Sequence, residues 1–504
     1  MARKPQPAKK SYFFDKGYRD LLSTIKGAWQ RNFASIVKFK DNIAASRIAG
    51  DSKFVFIFKL ILNVLAMAAV VVFGSIITAA VSLINVVVLL VFMLFVYLGF
   101  SVIWLIDRLY LIRKKIFTAC HECKEKSLIP TYICPKCGAK HTNLTPGVYG
   151  ILKRTCIGED PNSYCGEVLP TTFFNGRRKL AAICPHCETP LADRESVPIC
   201  IPIVGGRSVG KTAFITAFSK EFIDKVAPAH SWDIEFYNDK KKEIYKEIEL
   251  DYLNGTTRLT DRPMDINKTS SVSFSFFVKG NEFKPERLVH VYDIAGEVFT
   301  NNTENEMQKQ YEYCQGIVLM IDPFAIPTVR NRLEDQLTPQ DLAGIGKADI
   351  NEIVDSFLNK LREVTGLSDR KMSHVPLAVI ISKIDSAGLE KELGDFAIKS
   401  KMAEDPAIFN DYFNVEDYIC REFLKENGME SFLSNVELKF ANNRFFSCSA
   451  IGHTRDEGQY APEGVLPPMQ WLFDNADVVM RKKWTDVTFS KKPIKFIQPK
   501  VAEV

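Results

Sequence analysis

From residue 60 to residue 106 no position is charged. As one helix this run would be about 70 Å long at ~1.5 Å per residue. A bilayer's hydrocarbon core is about 30 Å thick and takes about 20 residues. The pattern therefore predicts two apolar helical spans, over 56–79 and 84–106, joined by a tight turn at 82–85. Lys59 closes one end by reaching back to the interface, and Asp107 with Arg108 closes the other. Ahead of the run, 11–50 mixes aromatic and aliphatic positions with lysines and reads mostly as helix. Two placements are open for it, flat on a membrane surface or packed on the rest of the chain. After Phe117 the texture turns to Cys, Pro and Gly. From Val197 it turns to strands alternating with helical runs, the pattern of an α/β domain with a mainly parallel sheet. The chain thus divides into a basic segment (1–53), an apolar hairpin (54–107), a cysteine region (116–192), an α/β domain (196–490) and a tail (491–504).

The 504 residues allow several domains, and 46% apolar with 25% charged residues excludes disordered and collagen-like classes. The net charge of +5 is uneven, with twelve Lys or Arg against four Asp in 1–53. That excess is either a solvated topology signal or a contact for an anionic membrane surface. Both flanks of the apolar run are basic, which predicts a multi-pass protein of the cell (inner) membrane with both termini cytoplasmic. The stretch 60–106 holds no charged residue to line a conducting path. The first apolar run begins some fifty residues in, so no signal peptide is expected.

Eight of the twelve cysteines lie between 120 and 187, which favours metal in a reducing compartment. Cys120 and Cys123, with Cys134 and Cys137, form two C-x-x-C knuckles ten residues apart, a set for one tetrahedral zinc. Cys184 and Cys187 form a third knuckle, and Cys156 with Cys165 a stretched one, giving a second zinc set. His121 and His186 read as bystanders. Four thiolates per ion leave no open coordination position, so both zincs are expected to be structural. No aromatic–basic stripe marks a nucleic-acid surface, and no such partner is expected.

Gly205, Gly206, Arg207, Ser208, Val209, Gly210, Lys211 and Thr212 fit G-x-x-x-x-G-K-[ST], between the apolar run PICIPIV and a helix start. Backbone N–H groups and the helix N-terminus would cradle phosphates, Lys211 would reach the β- and γ-phosphates, and the Thr212 hydroxyl would bind Mg²⁺. A strand hairpin then ends in Asp293, with Gly296 and Glu297 following. Asp293 suits a magnesium-bound water, and Gly296 lets its N–H approach the γ-phosphate. The strand LAVII leads into Ser382, Lys383, Ile384 and Asp385. The Asp385 carboxylate can accept from guanine N1–H and N2–H, a donor pair that adenine lacks, and Lys383 would lie along the base. Ser449 and Ala450 follow another strand, where a backbone N–H would meet guanine O6.

These motifs, in this order, resemble the TRAFAC-class (Ras-like) P-loop GTPases over roughly 197–480. With the cysteine segments YGILKRTC, CGEVLPTT and CPHC and the stretch SFLSNVELKFANNRFFSCSAIG, the chain is more narrowly similar to bacterial double-GTPase-like (DO-GTPase) proteins. The resemblance implies a Ras-like domain behind tandem zinc ribbons, GTP or GDP with Mg²⁺ as cofactors, slow hydrolysis of GTP, and an unidentified effector or regulatory protein. It also implies a membrane- or partner-linked role, sometimes associated with bacterial conflict systems; a different class of answer is a non-hydrolysing GTP-binding scaffold or docking protein at the membrane. On this pattern Ser382 stands where Asn or Thr is usual and would brace the loops less well. Thr260 is the first choice for the switch-one threonine, with Thr256 and Thr257 as alternatives. Glu297 would orient the attacking water. Arg258 and Arg262 are either solvent-facing or internal arginine fingers, and Arg207 would alter access by an activating protein.

Overall fold

The computed structural model describes residues 6–490 apart from 51, 121, 124, 160–163, 193–194, 255–272, 294–308, 338–344, 346–349, 366–372 and 453–459. They divide into two compact units. One comprises Met1–Arg113 and Ile129–Ile183, the other Lys114–Leu128 and Cys184–Val504. The cysteine region is therefore shared between them.

In the first unit, helix α1 (Lys16–Ile48) turns back against α2 (Lys53–Ala69). A π turn, Val70–Gly74, joins α2 to α3 (Ser75–Arg113). The turn expected at 82–85 is absent: the helix continues through it. No Gly or Pro interrupts those four positions, and the Asn85 amide donates to the Val81 carbonyl at 2.8 Å within the helix, so its polar group needs no turn. The irregularity falls instead at the π turn, where the i to i−4 ladder is broken. There the Asn32 amide of α1 donates to the Gly74 carbonyl (3.1 Å) and to Thr78 Oγ1 (2.7 Å). Among the described residues, Lys53–Arg113 is the one helix long and apolar enough to cross a membrane, with a mean hydropathy of 2.9 in its most apolar window.

Where the charge-free run ends, Asp107 is buried. Its Oδ1 accepts from the Phe173 N–H (2.8 Å), and its Oδ2 pairs with Arg177 Nη1 (3.0 Å). The same guanidinium nitrogen donates to the Leu144 and Thr171 carbonyls (3.0 and 2.8 Å). Two charges taken out of water are held only because each is hydrogen-bonded by the other and by backbone. This pair fixes the cysteine-bearing segment to the end of α3.

The second unit is built on a seven-stranded mixed sheet: β1 (Val197–Gly205), β2 (Asp233–Phe236), β3 (Ser273–Lys279), β4 (Arg287–Asp293), β5 (Ile317–Ile321), β6 (Leu377–Ile381) and β7 (Asn443–Ser447). The spatial order is β2-β3-β4-β1-β5-β6-β7. The β2/β3 and β3/β4 pairs are antiparallel, and the other four pairs are parallel. β1, β5 and β6 are nearly continuous apolar runs because helices cover both faces. One face packs against α4 (Lys211–Glu221) and α7 (Leu466–Ala476). The other packs against α5 (Ile350–Thr365) and α6 (Tyr412–Glu426). α5 buries Ile350, Ile353, Val354, Phe357, Leu358 and Leu361, the i, i+3, i+4 stripe of an amphipathic helix.

Asp107→Ala should leave the Arg177 guanidinium buried without its counter-charge, at a cost of about 3–5 kcal/mol. Since ~1.4 kcal/mol is tenfold, hydrogen exchange of amides 171–180 should accelerate a hundredfold or more. Exchange unchanged in that segment would mean that the pair does not hold it.

Candidate functional site

The parallel strands end on one edge of the sheet, and the motif residues stand there. β1 leads into the loop 205–212. A Cβ on Gly205 would lie 2.7 Å from the Met320 carbonyl oxygen of β5, so only glycine fits. Gly210 closes the loop with φ +91° and caps α4. Ser208 also has positive φ (61°), Val209 is buried and Arg207 is exposed. The Lys211 ammonium lies over this loop, donating to the carbonyls of Gly205 (3.0 Å) and Gly206 (2.7 Å). Thr212, one residue on, donates its hydroxyl to Asp293 Oδ2 at 2.7 Å. Asp293 is fully buried at the end of β4, level with Ile203 of β1. The two residues expected to serve Mg²⁺ are thus in direct contact, eighty-one positions apart in sequence. A hard cation bound there would find a hydroxyl and a carboxylate, the oxygen donors that Mg²⁺ prefers.

The guanine motif follows β6. Ser382 Oγ lies 2.9 Å from the Val209 carbonyl of the phosphate loop and 3.0 Å from the Ile321 carbonyl of β5. The serine thus makes a loop-to-loop contact from the position where Asn or Thr is usual. A short side chain suffices because β5 and β6 are adjacent and in register, with Ile321 opposite Ile381. Lys383 (φ 57°) makes a 2.7 Å ion pair with Asp322, which the sequence reading did not single out. Asp322 also caps the turn Pro323–Ala325 through the Phe324 N–H, at 3.0 Å. Asp385 Oδ1 accepts from the Ser449 hydroxyl, and Ser449 Oγ in turn accepts from the Gly452 N–H at 2.7 Å. The carboxylate and the Ser449–Ala450 loop are therefore one hydrogen-bonded group. The Ala450 carbonyl accepts from the Tyr252 hydroxyl, near the end of the helix Asp239–Leu253. Glu416 of α6 accepts from the Ser447 N–H (3.0 Å) and Oγ (3.1 Å), and burial pushes its carboxyl up to about 7. Tyr252 and Glu416 were invisible in sequence because each acts from a helix far along the chain. Gly296, Glu297 and Thr260 lie outside the described residues, as do Thr256, Thr257, Arg258 and Arg262.

The eight clustered cysteines form two groups of four, but not in sequence order. Cys120 and Cys123 join Cys184 and Cys187; Cys134 and Cys137 join Cys156 and Cys165. The expected sets (Cys120, Cys123, Cys134, Cys137 and Cys156, Cys165, Cys184, Cys187) are corrected to this nested arrangement. Strand Thr131–Ile133 pairs antiparallel with Ala182–Ile183, so the chain leaves these two strands at opposite ends. The knuckles opening at Cys134 and at Cys184 therefore go to different centres. Sulfur–sulfur distances are 3.5 and 3.7 Å in each group. Zinc with ~2.3 Å bonds to sulfur in a tetrahedron separates its ligands by about 3.8 Å, so both groups fit it. Burial raises the Cys120 and Cys156 thiols, so these buried sulfurs need a cation to stay ionised. The stretched pair closes through Gly166, whose N–H donates to the Cys156 carbonyl at 2.9 Å. The outer group belongs to the sheet-bearing unit. Ala119, next to Cys120, packs with Cys200 of β1, Tyr292 of β4 and Tyr313. Tyr292 immediately precedes Asp293.

Residues 199–432 match the model of the family described as Double-GTPase 2. No curated protein matches the chain. Among solved structures, the Arl6 BBS3 small GTPase of Trypanosoma brucei with bound nucleotide analogue GppNp is 11% identical, over 55% of this chain and 97% of that one, with a TM-score of 0.25. The Ski7 GTPase-like domain of S. cerevisiae bound to GTP is 14% identical over 58% of this chain and 51% of that one, at 0.27. The signal recognition particle receptor SRb-GTP/SRX complex of Chaetomium thermophilum is 15% identical over 52% and 93%, at 0.23.

Two outcomes follow from this geometry. Ser382→Ala should remove a hydroxyl shared by two loops, at about 1–2 kcal/mol, and weaken nucleotide binding roughly tenfold in a titration with fluorescent GDP; unchanged affinity would mean that the brace is idle. The purified chain should carry about two zinc ions, and chains with Cys120→Ser and Cys184→Ser, singly or together, about one. Cys120→Ser with Cys134→Ser should carry none. Pairing in sequence order would reverse the two double variants.

Proposed function

We propose, for a chain that carries a P-loop GTPase domain of the double-GTPase type over residues 199–432, that it is a membrane-anchored switch that binds GTP and hydrolyses it to GDP with Mg²⁺. The observation that supports the reading is that one edge of the sheet brings together the phosphate-loop residues and those of the S-K-I-D segment. On the phosphate-loop side, Thr212 bonds Asp293; on the other, Asp385 bonds Ser449. When bound, Mg²⁺ would neutralise charge on the β- and γ-phosphates. The chain's own residues do the rest. Lys211, released from the Gly205 and Gly206 carbonyls, presents its ammonium to the phosphates. Loop N–H groups and the N-terminus of α4 face the same charge. Asp385 accepts from the guanine edge, and the Ser449–Ala450 backbone donates to O6. Glu297 orients the attacking water, Gly296 leaves room for its own N–H at the γ-phosphate, and Thr260 completes the switch. Loss of the γ-phosphate would release switch loops near 256–270 and 293–305, whose state an effector would read. The two cysteine groups hold structural zinc, since four thiolates leave no position for substrate.

The anchor is the charge-free run. About 70 Å of apolar helix is more than twice a bilayer core, so one straight pass would leave much of it in water. Two passes, with basic flanks on the cytoplasmic side of the cell membrane, would avoid that cost and would require the helix, continuous through 82–85 in this structure, to bend in the bilayer.

Asp385→Asn should move preference from guanine toward xanthine nucleotides, because xanthine carries a carbonyl where guanine has its amino group. Lys211→Ala should abolish binding, while Glu297→Ala should keep binding and lower multiple turnover of GTP. Turnover absent in the parent chain with tight GTP binding would turn the reading to a non-hydrolysing scaffold. Protease added to right-side-out vesicles should spare both termini. Loss of an N-terminal tag alone would refute the two passes.

A further inference from the structure

The end of α3 carries an aromatic collar. Tyr97 and Trp104 are each 40% exposed, and the Arg108 guanidinium stands 5.6 Å over the Trp104 ring. Tyr110 meets Phe174 at 4.6 Å. Phe174 belongs to the cysteine-bearing segment, yet it is 62% exposed. Arg178 and Lys179, on the same short turn, are exposed too, and Arg178 lies 5.6 Å over Phe173. The buried Asp107–Arg177 pair holds this turn at a fixed height on the helix, just past the last uncharged position. Tyr and Trp concentrate where hydrocarbon gives way to headgroups, with Arg and Lys just outside. Along the unit the bare apolar helix likewise gives way to a band of aromatic rings and cations, with Arg108 over Trp104 and Arg178 over Phe173.

We propose that this cysteine-bearing turn is itself a membrane contact: Phe174 enters the acyl-chain boundary of an anionic bilayer, and Arg178 and Lys179 bind its lipid phosphates. A protein partner would be expected to meet a patch set apart from the helix. Here the exposed ring touches Tyr110 of the helix and continues its apolar surface. Two cations beside it match an anionic surface. The inference rests on the membrane reading above and names the lipid class and the second element that reads it.

The test uses the full chain in lipid nanodiscs of phosphatidylcholine with or without phosphatidylglycerol. A photoreactive benzoylphenylalanine replaces Phe174, Leu94 in mid-helix, or Leu250 on the helix Asp239–Leu253, each of them exposed. Lipid adducts are read by mass spectrometry, and bound zinc reports folding. Adducts are expected from 94 and 174 and none from 250. The adduct at 174 should need phosphatidylglycerol and fall about tenfold in the Arg178→Glu, Lys179→Glu chain, while that at 94 stays constant. Adducts at 94 without any at 174 would overturn the proposal and leave the membrane reading standing. No adduct at either position would sink the membrane reading itself. Labelling at 174 that ignores phosphatidylglycerol and both charge reversals would refute the anionic contact.

Discussion

Parallel pairing is the constraint from which the nucleotide-binding unit follows. Five strands, β4, β1, β5, β6 and β7, are joined by parallel pairing, so their carboxyl ends share one edge: Asp293 stands level with Ile203, Met320 with Gly205, Ile321 with Ile381, and Ile381 with Ser447. Each strand then delivers its loop to the same place. A shift of one residue in any pair would exchange the side chains of that strand between the two packed faces and move its loop out of line with the others. The apolar runs that fill both faces therefore also set the position of the chemistry.

On that edge the loops are tied largely by small hydroxyl groups, beside the Lys383–Asp322 ion pair. Thr212 holds Asp293, Ser382 joins two carbonyls, and Ser449 holds Asp385. Each is a hydroxyl whose partner lies on a neighbouring loop. Such bonds are modest singly but are made in a largely buried setting, where leaving a group unpaired costs more than the bond returns. Behind the sheet, Glu416 grips Ser447 two residues before Ser449, so α6 also bears on the base loop.

The phosphate loop and the strand-tip carboxylates were legible in sequence because local chemistry dictates them: glycine where a Cβ would strike the Met320 carbonyl, a hydroxyl beside the lysine, and a carboxylate after an apolar strand. What could not be read was any property set by distance in the chain. The partners of Ser382 could not be read, because its two carbonyls lie 173 and 61 residues away. The cysteine knuckles were legible one by one, but which knuckle meets which depends on an antiparallel pairing of 131–133 with 182–183 that leaves no mark in the spacing. The apolar run was legible as helix. Its turn was not, because the length argument concerns the bilayer, while continuity of the helix is decided by local backbone bonds.

The division of the chain carries one more consequence. It crosses between the units three times, after Arg113, after Leu128 and after Ile183, and the cysteines 120, 123, 184 and 187 lie among these crossings. A protease that cuts one crossing leaves two peptide connections intact. Release of the sheet-bearing unit from the helical one takes three separate cleavages. The linkage is therefore redundant in the engineering sense: no single scission disconnects the two units.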